Sequence, residues 1–247
     1  MSKESLIEKM FSAGAHFGYT KSRRHPSVKP YIFGNKNKIE IFDLEKTAGL
    51  LEEAKAYIKS LGEKNATVLF LGGKNESQPA VIKAADELDM PYVIGRWIGG
   101  TFTNFSQIKK RIDRMNKLKE EKAKGEFSKY TKWEALQIER EIEKLEIYFG
   151  GISDMKKLPD AVVVVDSKRE EIAVNEARMK HIPLIGILGS DCDMGEVMYP
   201  VLGNDSSKKS IEFFISELVE SYKEGKAAAP KVAKSSEKAP AKESVEK

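Results

Sequence analysis

Apolar residues follow two rhythms along this chain. Four short unbroken runs, Thr67–Leu71, Pro91–Ile94, Ala161–Val165 and Pro183–Leu188, lack polar alternation. Runs of that kind are strands buried on both faces, as in a parallel sheet with helices on each side. Lys38–Phe42 alternates instead, and counts as a fifth, half-exposed strand. Between the runs, apolar positions step by three and four. Asp43 is placed to cap a helix to about Leu61, with Leu50, Ala54, Tyr57, Ile58 and Leu61 inward. Ser77 opens a second helix with Val81, Ala84, Ala85 and Leu88 inward, and Glu170–His181 forms a third. Ser206–Tyr222 closes the series with Ile211, Phe214, Ile215, Leu218 and Tyr222, and Ser5–Ala13 forms a short leading helix. Strands alternating with helices predict a doubly wound α/β core of about five strands.

Phe105–Ile152 breaks that alternation. Phe105, Ile108, Ile112 and Met115 lie on one face of a first helix. Lys124-Gly125-Glu126 interrupts it, and Ala135, Ile138, Ile142, Leu145, Phe149 and Ile152 line a second. The spacing predicts an antiparallel helical hairpin with a coiled-coil-like seam, inserted into the core. The expected organisation is a core of residues 1–104 and 153–224, a hairpin at 105–152, and a tail at 225–247. That tail is Ala, Lys, Pro, Ser and Glu, too poor in large apolar residues to offset its ordering entropy, and is expected to be disordered.

Core and hairpin meet at Arg96-Trp97-Ile98-Gly99-Gly100-Thr101-Phe102-Thr103-Asn104-Phe105. The paired glycines allow a sharp turn. Arg96 brings a permanent planar charge and Trp97 a flat face. Thr101, Thr103 and Asn104 offer short polar groups for binding or for capping the helix at Phe105.

Charge sharpens this picture through its placement. The chain has 247 residues and a net charge of only +4. Thr20–Lys38 nonetheless holds six Lys/Arg and no acid, and Arg96–Lys124 holds nine against three. Patches of one sign suit a polyanionic partner. Pro26, Pro30 and Gly34 make the first patch an extended loop. Candidate phosphate and base contacts are Lys21, Arg23, Arg24, His25, Lys29, Tyr31, Lys36 and Lys38 in the first patch. In the second they are Arg96, Trp97, Thr101, Thr103, Asn104, Lys109, Lys110, Arg111 and Arg114. Cations neutralise phosphates, and the flat side chains, His16 among them, stack on unpaired bases or pack beside them.

Other chemistries fit poorly. Gly73-Lys74 lacks the Ser/Thr and the earlier Gly of a phosphate loop, and Gly99-Gly100 belongs to no dinucleotide fingerprint. Asp191-Cys192-Asp193 fails the spacing of a calcium loop, and one Cys with three scattered His makes no zinc pattern. A lone Cys192 excludes an internal disulfide. No secretory leader or membrane span is evident, so a cytoplasmic protein with no small-molecule substrate, cofactor or metal is expected. The competing reading is a nucleotide- or flavin-binding enzyme using the carboxyl edge of the sheet, with Gly72-Gly73 and Asp191–Asp193.

Several separated motifs resemble the bacterial small-subunit ribosomal protein two family. They are Gly14-Ala15-His16-Phe17-Gly18, then Pro30-Tyr31-Ile32-Phe33-Gly34 running to Asp43-Leu44-Glu45-Lys46-Thr47, and Arg96–Phe105. Lys144-Leu145-Glu146, Phe149-Gly150-Gly151-Ile152, Met155, Leu158-Pro159-Asp160, Glu176-Ala177, Ile182-Pro183 and Gly203-Asn204-Asp205 follow in order. The resemblance covers about Ser5 to Tyr222. Tyr19, Gly189–Met194 and Lys209 depart from the usual pattern. The resemblance implies a flavodoxin-like parallel core with an inserted hairpin and a non-catalytic, structural role in translation. It also implies binding to small-subunit rRNA between head and body, and neighbours that include the large mRNA-binding ribosomal protein one. Replacing Arg23 and Arg24 together by Ala is expected to lower the salt slope of RNA binding by about two, measured by titration at several salt concentrations.

Overall fold

The structure is a computed structural model that describes residues 3–228. Five parallel strands form its central sheet: β4 (Val68–Gly72), β5 (Tyr92–Ile94), β6 (Ala161–Val165), β7 (Leu184–Leu188) and β8 (Tyr199–Leu202), in the spatial order β5-β4-β6-β7-β8. The first strand of this series lies inside, so the chain reverses direction across the sheet between β4 and β6. Such a reversal is where doubly wound sheets open a crevice. Val68 pairs with Ala161 and Val162 with Leu184, setting the register of the central strands.

The unbroken apolar strands follow from cover on both faces. Val68, Phe70, Val163, Val165, Ile185 and Ile187 face one core, beneath α2 (Leu44–Glu63), α3 (Gln78–Leu88) and α7 (Lys208–Ala228). Leu69, Leu71, Val162, Val164, Leu184 and Leu188 face another, with Ala173, Val174 and Ala177 of α6 (Glu171–Met179). Trp97, Phe102, Ile108, Ile112, Phe149 and Ile152 belong to that second core, which therefore roots the inserted helices.

Those helices are α4 (Phe105–Ala123) and α5 (Lys132–Phe149), lying between β5 and β6. Ile108, Ile112, Met115 and Leu118 are buried on α4, with Ile142 and Phe149 on α5. A complete capping box starts α5: Thr131 accepts from the Glu134 backbone and Glu134 returns to the Thr131 backbone. Arg114–Glu141 (2.6 Å), Lys119–Glu146 (2.8 Å) and Lys122–Glu139 (2.9 Å) pair across the two helices.

Four expectations need correction. The basic stretch after Thr20 is not an extended loop. It holds a 3-10 turn at Pro26–Tyr31 and then β2 (Ile32–Lys36), which pairs with β3 (Ile39–Phe42). Asn37 and Lys38 both adopt left-handed φ (51° and 68°), the geometry of a two-residue hairpin turn. Second, β3 is not in the main sheet. With β1 (Phe17–Thr20) it completes a separate antiparallel sheet of order β1-β3-β2. Third, the remaining core strand is β8, which carries Pro200 and tolerates it because β8 is an edge. Fourth, the helix expected to end at Tyr222 continues through Gly225 to Ala228. Gly225 and Gly62 let α7 and α2 touch backbone to backbone, since a Cβ on Gly225 would collide with the Lys59 carbonyl oxygen. The rest of the expected tail lies outside the described residues.

Within α2 the inward stripe runs through Leu51, not Leu50. Asp43 caps this helix, with Oδ1 accepting from the Glu45 backbone N–H at 3.1 Å. Gly225→Val is expected to lower the unfolding free energy by about 2 kcal/mol or more, because backbone must move to admit it. Urea denaturation of the variant beside the parent chain measures this.

Candidate nucleic-acid interface

The joint between core and hairpin is organised by one carboxylate. Glu176, buried on α6, accepts hydrogen bonds from the backbone N–H of Gly100 (2.6 Å), Phe102 (2.9 Å) and Thr103 (3.0 Å). Thr103 Oγ1 (3.2 Å) and Trp97 Nε1 (3.4 Å) also donate to it. Gly100 has φ +94°, which lets the loop curl around the carboxylate. Burial pushes the Glu176 carboxyl upward, but the converging backbone N–H groups and Trp97 outweigh it and hold it below its ordinary value. The loop that looked like a ligand-binding turn is thus satisfied from within.

That result relocates several candidates. Trp97 is buried edge-on to Phe102 (4.8 Å between ring centres), and Thr101 is buried with its hydroxyl donating to the Ile98 carbonyl at 2.6 Å. Both side chains are buried in contacts within the chain. Asn104 precedes α4 without a side-chain cap bond. Thr103 and Asn104 are exposed, as are Arg96, Lys109, Lys110 and Arg111. These four cations make no ion pair among the described residues. Arg114 differs, because Glu141 takes its guanidinium through two hydrogen bonds (2.6 and 3.0 Å). Arg96 borders a cleft of about 500 Å³ with Asn75, Gln78 and Arg169. Arg169 is exposed, and its charge acts on the buried Glu170 carboxyl beside it; no sequence motif marked this cation.

The first patch divides similarly. Lys21, Arg23, Lys29, Lys36 and Lys38 are exposed with no ion pair among the described residues. Arg23 lies over the Tyr19 ring, 5.2 Å from its centre. Arg24 instead binds Glu40 at 2.8 Å, and Glu40 is fully buried, so that arginine neutralises an internal charge. The fall in salt slope expected from losing Arg23 and Arg24 therefore shrinks to about one. His25 caps the Pro26–Tyr31 turn, its Nδ1 accepting from the Ser27 backbone, with Asp193 3.6 Å away. Tyr31 is half-buried against the second core.

His16 stacks on Phe11 (4.5 Å) and lies against Phe17 (4.0 Å). Burial lowers its imidazole. Phe11, Phe17 and the strongly exposed Phe33 line a groove of about 640 Å³ beside Lys36. Sequence patterning missed this groove, because its aromatics come from α1 (Lys3–Ser12), β1 and β2, far apart in the chain.

At the reversal between β4 and β6, the crevice is filled. Lys74 runs into it and meets Asp166 at 2.7 Å and Asp205 at 2.6 Å, with Tyr19 Oη at 3.3 Å. Burial disfavours the ammonium, but two carboxylates around one cation hold Lys74 protonated well above its ordinary range. Burial, and repulsion from Asp166, push the Asp205 carboxyl up despite the Lys74 ammonium. Cys192 donates to Asp166 at 3.4 Å, and burial pushes its thiol up to about 12. Asp166, Cys192 and Asp205 converge as metal ligands would, yet Lys74 already supplies the positive charge between the two carboxylates. Over Gly73, burial lifts Glu170 to about 7. The expected reading of Gly73 and Asp191–Asp193 as a ligand edge thus meets an internal ion network; Lys168 also pairs with Asp191 at 3.2 Å.

The chain thus has a parallel α/β body with Lys74 lodged at the β4–β6 reversal, an inserted helical pair, and cations that stand exposed without ion pairs among the described residues. The family model described as Ribosomal protein S2 matches residues 10–225, and the chain belongs to that family of structural small-subunit ribosomal proteins. The match spans both sheets and the inserted helices. No helix among the described residues is long and apolar enough to cross a membrane.

Glu176→Ala is expected to cost about 3 kcal/mol of stability, because several loop N–H groups lose their acceptor. The pH dependence has a defined sign. A carboxyl depressed in the folded state contributes stability above its unfolded value near 4.5, and that contribution is lost as pH falls through the lower folded value. The stability gap between the parent and Glu176→Gln should therefore shrink as pH is lowered below about 4.5, followed by denaturant unfolding at each pH.

Proposed function

We propose that this chain binds small-subunit rRNA through two groups of unpaired cations and thereby fixes its α/β body and helical hairpin to the particle. The observation that carries the reading is the selectivity of internal pairing. Acids of the chain neutralise Arg24, Arg114, Lys119 and Lys122. They leave Arg96, Lys109, Lys110 and Arg111 at the hairpin root, and Lys21, Arg23, Lys29, Lys36 and Lys38 around the small sheet, exposed and without ion pairs among the described residues. Cations left unmatched on a rigid surface raise the affinity for a phosphate backbone by releasing counterions. Arg169, across the cleft from Arg96, joins the hairpin-root group.

A seat between head and body, contact with other small-subunit proteins including the large mRNA-binding ribosomal protein one, and a cytoplasmic location are part of this reading. They rest on the family. The domain division into core, hairpin and tail belongs to it too, with the hairpin as an arm rooted in the second core. A nucleotide- or flavin-binding enzyme would need the crevice at the β4–β6 reversal, where Lys74 is held between Asp166 and Asp205.

Replacing Lys109, Lys110 and Arg111 together by Ala is expected to weaken binding to small-subunit rRNA and lower the salt slope by about two to three. Arg114→Ala, whose charge is already matched, should change the slope by well under one. Filter binding or fluorescence titration from low to high salt separates the two; equal slopes for both variants would sink the assignment.

A further inference from the structure

We propose that an unpaired guanine nucleotide of the rRNA inserts into the cleft between Arg96 and Arg169, with its base edge on Glu170. The inference rests on the rRNA-binding reading above and gives that surface one base to read. Three strand ends shape the cleft, which holds about 500 Å³. Gly73 follows β4, Arg96 follows β5, and Arg169 and Glu170 follow β6. This is the carboxyl edge of the sheet, beside the crevice that Lys74 occupies. Asn75 and Gln78 add polar lining, and Ile172, 58% exposed, adds an apolar lip.

Glu170 decides what the cleft can take. It is 4% exposed and lines the cleft. It stands at the N-cap of α6, yet its side chain makes no capping bond there. It reaches Gly73 instead, whose backbone N–H donates to it, and a Cβ at Gly73 would collide with Glu170 Oε1. Glu176, on the same helix, supplies the contrast. Five donors converge on Glu176, and its carboxyl is held below the ordinary value. Burial lifts Glu170 to about 7, against the pull of the Arg169 charge and the Gly73 N–H, with Asp166 adding to the rise. A buried carboxyl so poor in donors is stabilised by N–H groups that a ligand brings.

The fitting ligand therefore carries N–H donors at one end and negative charge at the other. A phosphate alone does not fit, because Glu170 repels it. Guanine presents adjacent N–H donors at N1 and N2, which a carboxylate accepts together. That edge is free only where the base is unpaired. Arg96 and Arg169, both exposed, then take the phosphate of the same nucleotide. Their flat guanidinium groups, and the Ile172 side chain, also suit the face of a base. The cations Lys109, Lys110 and Arg111 at the hairpin root serve a longer strand, not a free mononucleotide.

The test uses the full-length chain bound to small-subunit rRNA and probed with kethoxal, which adds to N1 and N2 of unpaired guanine. One guanine should become about tenfold less reactive when the parent chain binds. The amide of Glu170→Gln offers one acceptor oxygen in place of two. With that variant at saturation the same guanine should stay reactive, while hydroxyl-radical protection of the rRNA backbone persists. Ile172→Trp blocks the cleft from an exposed position and should have the same effect without altering the buried carboxyl. Protection that survives in either folded variant, or that falls on no guanine, would overturn the proposal. So would binding of guanosine monophosphate that rRNA does not displace. Failure of the parent chain to bind the rRNA is a separate result, and it would overturn the rRNA-binding reading itself.

Discussion

The Glu176 carboxylate is the constraint from which the interface geometry descends. A loop from Trp97 to Thr103 has backbone N–H groups that no strand or helix supplies with acceptors, and burying them unpaired would cost about 1–3 kcal/mol each. One buried side chain from α6 collects three of them, with Trp97 and Thr103. Because α6 is packed on the central sheet, the loop inherits the rigidity of the sheet. Arg96 precedes that loop and Lys109–Arg111 follow it on α4, so both ends of the cationic group are tied to the same anchor. A surface held this way loses little freedom on binding, and retains more of its electrostatic gain as affinity.

The same economy governs the carboxyl edge. In doubly wound proteins this edge is where ligands sit, because the strand order reverses there. Here the reversal is present, but Lys74, Asp166 and Asp205 close it with a buried ion cluster that Tyr19 joins from the small sheet. The cluster links the ends of β4 and β6, the turn before α7 and β1. Such a cluster is poor evidence of stability in itself, since desolvation offsets much of the attraction. It does fix where the small sheet sits against the body. The architecture offers a crevice here, and Lys74, Asp166 and Asp205 lodge an internal ion cluster at the strand reversal.

Much of the scaffold was legible in the sequence. Unbroken apolar runs marked four of the five core strands because both faces of the sheet are covered, and three-four spacing marked the main helices. The fifth strand escaped because Pro200 reads as a breaker, although an edge strand accepts proline. The small sheet escaped because its hairpin turns on Asn37-Lys38 in place of Asn-Gly, and because prolines upstream suggested loop. For the interface, composition located the cationic patches but not their pairing. Glu40 lies 16 residues from Arg24, and Glu141 lies 27 from Arg114, so only the fold shows which cations are matched. Trp97 and Thr101 looked like binding groups because aromatic and hydroxyl residues beside glycines serve both uses; burial decides between them.

A low net charge is therefore compatible with the proposed binding of a polyanion. The +4 of the chain is a difference between 42 basic and 38 acidic residues, and what matters is where the acids are placed. On the hairpin they line the inner edges of α5, matching Arg114, Lys119 and Lys122 of α4 and holding the two helices together. In the small sheet a single buried glutamate matches Arg24. Acids placed for internal pairing cannot also shield the outer surface, because screening by solvent and salt confines each pair to its own few ångströms. The cations beyond their reach keep their full field. Internal salt bridges and the proposed rRNA binding are then two sides of one distribution: pairing joins α4 to α5, and the cations it leaves unmatched are the ones the proposal assigns to phosphate.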